Sequence, residues 1–275
     1  MKAVSLLYHD VVEPGRFEAS GFRGPDADVY KLTTGEFRRH LSALAKALRS
    51  APRRVWELGA DRESGLPVLL TFDDGGASAF LVVAPLLAEL GWRAHFFVTT
   101  DYIGQPGFLS AEEIRALSRL GHVLGSHSAS HPPAMSRCTA QQLAQEWTRS
   151  TETLGAILGQ PVAAASVPAG FYSRAVAEAA ARAGIRFLFT SEPVVRAWTV
   201  GGCLALGRFG LQQGVTPERA AALVSGRMAP RLGSYAFWNA KKLVKAAGGE
   251  HWLRLRLWLL ARRSQRRPPP HPGAR

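Results

Sequence analysis

The stretch that decides the fold is residues 67–76, which read PVLLTFDDGG. Pro67–Phe72 is an apolar run broken only by one threonine, as expected of a strand buried on both faces. Asp73 and Asp74 follow, and a Gly-Gly pair then turns the chain. Neighbouring side chains of a strand point in opposite directions, so one carboxylate can ligate a metal while the other takes a proton from water. Alone, an Asp-Asp-Gly sequence is more often only a turn.

Six further apolar runs resemble this strand in length and are separated by helix-like stretches. The runs are Ala3–Leu7, Ala94–Val98, His122–Gly125, Val162–Val167, Arg186–Phe189 and Leu204–Phe209. The predicted helices run from Thr34 to about Arg49 and over Ala77–Leu90, Ser110–Leu120, Thr139–Leu158, Ser173–Ala183 and Thr216–Met228. Seven buried strands alternating with helices predict an α/β, barrel-like fold. The Gly- and Pro-rich stretch from Asp10 to Tyr30 is predicted to be a long loop of the kind that often binds ligands, and Pro52–Gly65 a surface segment.

Two histidines, His127 and His131, follow the apolar run His122–Gly125. Residues four apart share a face if the segment makes a helical turn, and this suits two imidazoles on one metal ion. In a parallel α/β barrel the loops after the strands converge, so these histidines are expected to meet Asp73 and Asp74. Without that partner, a His-x-x-x-His spacing is more often unrelated to metal.

The two motifs together carry a resemblance. Thr71-Phe72-Asp73-Asp74-Gly75 and His127-Ser128-x-x-His131 resemble the first two motifs of the polysaccharide deacetylase family (NodB homology, carbohydrate esterase family 4). The resemblance covers roughly residues 3–209 and implies an irregular, partly open (β/α)7 barrel. It also implies a divalent metal ion, with zinc favoured, held by Asp74, His127 and His131, and Asp73 as general base.

The third family motif departs from its usual form. Ser166 stands where the family has an arginine that holds the base, and we interpret Arg208 as its substitute. The residues that follow Ser166 are predicted to bind substrate or the oxyanion, with Trp198 offering another apolar face to a sugar ring. They are Pro168, Gly170, Phe171 and Tyr172.

The general acid is also displaced. Leu206-Gly207-Arg208 contains no histidine, but Tyr8-His9 resembles the Tyr-His motif of a circularly permuted subgroup that includes enzymes acting on poly-N-acetylglucosamine. The resemblance implies His9 as the acid; the alternative is a hydrogen-bonded structural histidine. Glu192 ends the sixth strand and is predicted to orient His9 or bind substrate, or else to be a plain strand-end carboxylate.

The function implied is hydrolytic removal of acetyl groups from N-acetylated sugars, in a polysaccharide, an oligosaccharide or a lipid-linked precursor. Two alternatives stay open. The chain could be a non-catalytic carbohydrate-binding relative, or a hydrolase of a small non-sugar amide.

The positive charge is concentrated at the C-terminus. Residues 241–275 hold ten of the 34 Lys and Arg residues but one of the 21 acidic ones. We predict a barrel over residues 1–232, a basic amphipathic helical extension over 233–263 and a disordered tail over 264–275. The extension suits peripheral contact with an anionic membrane, or else packs on the barrel; nucleic-acid binding is not expected. The sparse cysteines and the lack of a signal-peptide core predict a cytoplasmic protein, peripheral on the inner membrane face.

Overall fold

The computed structural model describes residues 1–59 and 65–240. Its strands are β1 (Val4–Tyr8), β2 (Val11–Val12), β3 (Leu32–Thr33), β4 (Val68–Phe72), β5 (His95–Val98), β6 (Val123–Ser126), β7 (Ala164–Ser166), β8 (Phe187–Phe189), β9 (Trp198–Val200), β10 (Cys203–Leu206) and β11 (Phe209–Gly210). Within the described residues, β2 and β3 form a separate pair and the other nine strands form one curled sheet. The barrel-like α/β fold predicted from the sequence is confirmed.

Helices cover the outside of this sheet. They are α1 (Pro25–Asp28), α2 (Thr34–Ala47), α3 (Ala84–Ala88), α4 (Ala111–Arg119), α5 (Ala140–Leu158), α6 (Arg174–Arg182) and α7 (Pro217–Val224). The starts of α2, α4 and α5 are fixed by capping boxes, in which a Ser or Thr and the Glu or Gln three residues later satisfy the first backbone N–H groups. A π-helical stretch, Ala79–Val83, leads into α3, so the predicted helix Ala77–Leu90 is not regular.

Two predicted segments are corrected. The helix predicted over Thr216–Met228 ends at Val224, and a second helix begins at residue 228. The Asp10–Tyr30 loop contains β2 and α1, and it is tied down by the buried Lys31, whose Nζ donates to the carbonyls of Phe17 and Phe22.

The sheet order is β11-β1-β4-β5-β6-β7-β8-β10-β9, and every pair is parallel except β10 with β9. Consecutive strands β10 and β11 therefore lie at opposite sides of the sheet: β10 pairs with β8 and β11 pairs with β1. Residues 203–210 therefore cross from one side of the sheet to the other and close the barrel, and we call this crossing the seam of the barrel. Leu204–Phe209, predicted as one strand, is broken in the middle.

The break has a steric cause. A side chain on Gly207 would overlap the carbonyl oxygen of Glu192 and the Val194 side chain. The next residue, Arg208, donates its N–H to the same Glu192 carbonyl at 2.9 Å, and its side chain is fully buried. The guanidinium group of Arg208 therefore points from the seam into the interior of the barrel.

The described part of the C-terminal region continues as helix through residues 228–240. The rest of the predicted extension, the tail from 264 and residues 60–64 of the Pro52–Gly65 segment lie outside the described residues. Within the described ranges, no helix combines the length and apolar character needed to cross a bilayer.

Gly207→Ala should lower the free energy of unfolding by about 2–4 kcal/mol, because the new methyl group must push the Glu192 carbonyl aside. Gly210→Ala is the matched control in the same seam: no described atom lies within 4 Å of a Cβ placed there, so we expect a change of at most about 0.5 kcal/mol. Urea denaturation measures both. Equal effects of the two substitutions would contradict the close packing at Gly207.

Candidate metal and active site

The two carboxylates lie at the carboxyl end of β4. The N–H of Asp73 donates to the Tyr8 carbonyl at 3.1 Å, which extends the pairing with β1 by one residue. Asp74 has φ +77° and Gly75 has φ +82°. Two successive left-handed residues make a tight turn, and such a conformation is unfavourable for aspartate unless the surroundings impose it. The turn separates the directions of the two carboxylates.

The histidine segment follows β6 in an irregular turn, so the helical turn that would place the two histidines on one face is not formed. Ser128 and His131 have φ +63° and +58°, and the Ser128 hydroxyl accepts the His131 N–H at 3.1 Å. Glu146 of α5 stabilises the turn, because its carboxylate accepts hydrogen bonds from the N–H groups of Ala129 and Ser130, each at 2.9 Å. The two imidazole rings nevertheless come together, with centroids 5.2 Å apart.

Asp74, His127 and His131 form a donor cluster suited to a metal ion. The Asp74 Oδ1 lies 3.4 Å from the His127 Nε2 and 3.6 Å from the His131 Nε2, and all three donor atoms lie within 4.8 Å of one another. Two tetrahedral ligands about 2.1 Å from one metal are about 3.4 Å apart, so the observed spacing fits an ion between them. Burial, then the neighbouring His127, lower the pKa of His131, which favours the neutral imidazole that ligates metals.

Ser166 fixes the orientation of His127. Its hydroxyl donates to the Asp73 Oδ1 at 3.0 Å and lies 2.5 Å from the His127 Nδ1. Because a hydroxyl has one proton to donate, it accepts from the Nδ1–H group, and this assigns the tautomer that leaves Nε2 free for a metal. Ser166, at the family's arginine position, thus connects Asp73 to His127.

Arg208 occupies the space beside Asp73. Its Nη1 and Nη2 donate to the two Asp73 carboxylate oxygens at 2.7 and 2.8 Å, and its Nε donates to the Thr190 carbonyl at 3.0 Å. Burial acts to raise the pKa of Asp73, but the charge of Arg208, followed by that of His127, outweighs it and holds the pKa below its usual value. For Asp74 burial is likewise outweighed, by the contact with His127 and the nearby histidines, so its pKa also lies below the usual value. Both carboxylates are therefore ionised at neutral pH.

His9 lies at the end of β1, on the same edge as these groups. Its charge lowers the pKa of both Asp73 and Asp74, and its ring packs on Tyr30 with centroids 4.8 Å apart. The His9 Nδ1 is buried and has no hydrogen-bond partner among the described residues.

The predicted substrate loop forms one side of the mouth. Ala169 and Gly170 have φ +53° and +70°, which turns the chain after the buried Pro168, and the Phe171 N–H donates to the Pro168 carbonyl at 3.4 Å. The Tyr172 hydroxyl accepts from the Trp198 indole N–H at 3.0 Å. Burial and the charge of Glu192 both raise the pKa of Tyr172, so Glu192 lies near this rim. The roles predicted for these residues stay predictions.

Three contacts around the site were not predicted from the sequence. Phe22 packs on His131 with ring centroids 4.8 Å apart, and Glu146 supports the histidine turn. Asp10 is buried and accepts from the hydroxyls of Ser20 (2.5 Å) and Ser78 (2.8 Å), joining the long loop to the segment after the Asp pair. A charged residue two positions after a buried strand was the available signal for Asp10; Phe22 and Glu146 had none.

The sequence comparisons agree with the motifs. Residues 61–188 match the profile of the polysaccharide deacetylase family. Over 126 residues the chain is 29% identical to YxkH of Bacillus subtilis (strain 168), which is placed among the polysaccharide deacetylases; the match covers 46% of this chain and 45% of YxkH. The family is one of hydrolases acting on non-peptide carbon–nitrogen bonds. Both His9 and Arg208 lie outside the residues that match the profile.

Solved structures show the same fold at low identity. The Streptococcus pyogenes deacetylase PplD, in complex with acetate, superposes with a TM-score of 0.69 at 20% identity, covering 82% of this chain and 98% of PplD. IcaB from Ammonifex degensii superposes with a TM-score of 0.65 at 23% identity, covering 82% of this chain and 97% of IcaB. These likenesses extend beyond the profile match to most of the barrel.

Arg208→Met should lower the free energy of unfolding by about 3–5 kcal/mol, because it leaves the buried Asp73 carboxylate without its partner. Arg38→Met is the control: Arg38 also contacts a carboxylate through two nitrogens, that of Glu89, but both side chains are more than half exposed, and we expect a loss of at most about 1 kcal/mol. The double variant Arg208→Met/Asp73→Asn should lose less free energy of unfolding than the sum of the losses measured for Arg208→Met and Asp73→Asn separately. Additive losses in urea denaturation would contradict the coupling.

Proposed function

With residues 61–188 placed in the polysaccharide deacetylase family, we propose that this protein hydrolyses the acetamide group of an N-acetylated sugar and releases acetate. The observation that carries the proposal is the position of a second, ionised carboxylate beside the donor cluster. The Asp73 Oδ2 lies 3.9 Å from the His127 Nε2, close enough for one water molecule to contact both Asp73 and an ion held by the cluster.

Asp74, His127 and His131 would hold the metal ion, and zinc is the proposed metal because an Asp-His-His set suits it. A bound divalent ion supplies a Lewis acid that polarises the acetamide carbonyl and makes water more acidic. The remaining steps depend on the chain's own residues.

Asp73 is the proposed general base. Arg208 keeps its carboxylate ionised and fixes its plane, and each carboxylate oxygen retains acceptor capacity beyond its bond to the guanidinium group. An attacking water can therefore give its proton to Asp73 while it adds to the carbonyl carbon. Ser166 holds the same carboxylate from a second direction.

His9 is the proposed general acid. Expulsion of an amine requires that its nitrogen be protonated, and His9 lies close enough to lower the pKa values of both aspartates. The His9 ring packs on Tyr30.

The loop after Pro168 is proposed to bind the substrate. A backbone N–H of Gly170–Tyr172 would stabilise the oxyanion, and Phe171, Tyr172 and Trp198 offer apolar surface to a sugar ring. Glu192 is proposed to act at the same rim, where it is close enough to affect Tyr172.

We further propose a cytoplasmic location at the inner membrane face, with a lipid-linked precursor as substrate. The support for this location is the position of the C-terminal helix relative to the substrate loop. The indole of Trp238 lies 3.4 Å from where a Cβ on Gly170 would be, so the described part of the helix that begins at residue 228 lies beside the substrate loop. The sequence that follows is rich in Lys and Arg, a composition that anionic lipid attracts.

Metal-loaded protein should release acetate from N-acetylglucosamine oligomers, because base, acid and donor cluster are assembled on one edge of the barrel. Asp73→Asn and His9→Ala should each lower the rate by about 10²–10⁴. His127→Ala should retain a native far-UV circular dichroism spectrum and lose the metal, since the core does not depend on it. Asp101→Asn, a surface carboxylate paired with Arg149, is the control and should leave the rate unchanged.

Three outcomes separate this proposal from its alternatives. Sugar binding without acetate release, with metal bound, would indicate the non-catalytic relative. Turnover confined to small amides would indicate the amide hydrolase. Acetate release that survives both Asp73→Asn and His9→Ala would show that the assigned acid and base are wrong.

Anionic vesicles should carry the full-length protein upward in a flotation gradient at low salt, and added salt should weaken this binding. Zwitterionic vesicles are the control. Flotation that is absent at low salt, or independent of lipid charge, would contradict the membrane location while leaving the deacetylase chemistry untouched.

A further inference from the structure

An open pocket of about 340 Å³ lies beside the donor cluster, between the Asp10–Tyr30 loop and the segment that follows β5. Its lining comes from residues 21–23 of the loop and from residues between 102 and 108 of the segment. Phe22 belongs to the lining and also packs on His131, with ring centroids 4.8 Å apart. The pocket therefore borders the proposed metal site, and its volume lies in the range of about 300–1,000 Å³ that is typical of small-molecule sites.

Three aromatic rings form the wall of this pocket. Phe22 meets Tyr102 and Phe108 edge to face, with ring centroids 4.8 and 5.2 Å apart, and the Tyr102 and Phe108 rings lie 4.8 Å from each other. All three side chains are only partly buried, so the cluster is not a closed core. Accessible ring surface beside a polar site suits a pyranose sugar, because the C–H groups of the sugar give it an apolar face.

Polar groups stand at the edge of the aromatic wall. Arg23 and Gln105 line the same pocket and are exposed. The Gln105 Nε2 donates to the Asp101 carbonyl at 2.7 Å, which restrains the amide group. A guanidinium and an amide can bind the hydroxyl and carbonyl oxygens that surround the apolar face of a sugar. An apolar wall with a few polar groups at its edge is thus the composition expected of a sugar site.

Backbone contacts hold the pocket in shape. The Gly107 carbonyl accepts hydrogen bonds from the Gly21 N–H at 2.8 Å and from the Ala77 N–H at 2.9 Å, so the loop, the turn after β4 and the segment after β5 are joined at one atom. A side chain at Gly21 or Gly76 would overlap the buried Asp10 carboxylate, so these segments pack closely. A ligand that binds here loses little binding energy to ordering the aromatic wall.

The sheet order places this pocket and the loop after Pro168 on different sides of the histidine turn. The pocket is built after β1 and β5, the turn with His127 and His131 follows β6, and the Pro168 loop follows β7. In the sheet, β6 lies between β5 and β7. A sugar whose acetamide reaches the donor cluster can therefore have a neighbour of the same chain on the pocket side.

We propose that this pocket is a subsite for the sugar unit next to the one that loses its acetyl group. The rings of Phe22, Tyr102 and Phe108 contact the apolar face of that unit, and Arg23 and Gln105 bind its oxygens. The inference rests on the proposed function and adds to it that the substrate is a chain of at least two sugar units. Binding energy from the neighbouring unit holds the acetamide at the donor cluster, so a single sugar is a poor substrate.

Acetate release should therefore depend on chain length. With metal-loaded full-length protein, kcat/KM should be at least about tenfold higher for the trimer of N-acetylglucosamine than for the monosaccharide, because only the longer substrate fills the subsite. Phe108→Ala should lower this ratio to about one, since it removes part of the aromatic wall.

A second variant and a control separate a lost contact from a disturbed fold. Phe108 packs on Phe22, which contacts His131, whereas Arg23 is exposed and its loss leaves the aromatic cluster intact. Arg23→Ala should lower the ratio about threefold, the effect of one lost hydrogen bond. Trp56→Ala removes a half-exposed aromatic side chain near the start of β5, away from the donor cluster, and should leave the ratio unchanged.

Two results overturn the subsite. One is a kcat/KM that does not differ between the monosaccharide and the trimer in the unmodified chain. The other is a loss in Phe108→Ala and Arg23→Ala that is equal for both substrates, since that would indicate a disturbed metal site instead of a lost contact.

Failure of the proposed function gives a different result. If neither sugar releases acetate, calorimetric titration with the trimer decides. Trimer binding that Phe108→Ala weakens about tenfold and Trp56→Ala leaves unchanged would keep the sugar pocket and remove only the deacetylase proposal. Trimer binding that is absent, or indifferent to Phe108→Ala, would overturn both.

Discussion

The buried ion pair between Arg208 and Asp73 is the interaction on which the rest of the site depends. Both groups are almost inaccessible to water, and a carboxylate in that position would be protonated or displaced without its partner. The pair is possible because the seam of the barrel breaks at Gly207, where the neighbouring carbonyl leaves no room for a side chain. The seam thus carries the residue whose charge keeps Asp73 ionised.

From that pair a continuous set of hydrogen bonds leads to the metal cluster. Asp73 accepts from the Ser166 hydroxyl, which accepts in turn from His127, and His127 faces Asp74 through its other nitrogen. Each step fixes the orientation of the next, so the ligand geometry is set before any ion binds. With a serine at the family's arginine position, the positive charge beside Asp73 comes from Arg208 at the seam. In place of a guanidinium group, Ser166 provides a link that fixes the His127 tautomer.

The sequence alone predicted the features that repeat along the chain or that depend only on residues close together in the sequence. Buried runs predicted six of the strands because both faces of a parallel strand are covered, whereas the seventh run, Leu204–Phe209, is divided between β10 and β11. The predicted helix starts at Thr34, Ser110 and Thr139 lie within one residue of the starts of α2, α4 and α5. The convergence of Asp74, His127 and His131 followed from strand ends alone. The irregular histidine turn could not be predicted, because it depends on Glu146 reaching from another element. The break at Gly207 depends on the Glu192 carbonyl, a contact that leaves no pattern in the residues 203–210 themselves.

The placement of His9 and Arg208 explains how a site can be complete although both lie outside the profile match of 61–188. β11 pairs with β1, so Phe209 and Gly210 lie beside Leu6 and Leu7. One residue before β11 is Arg208, and one residue after β1 is His9. Closing the barrel at this pair of strands therefore brings Arg208, which holds Asp73, and His9 to the same edge of the barrel. In the proposed mechanism, a barrel that failed to close there would keep Asp74, His127 and His131 at the ends of β4 and β6, but it would lose the proposed acid and the partner of the proposed base. The proposal therefore separates metal binding, which would need β4 to β6, from catalysis, which would also need β1 and the seam.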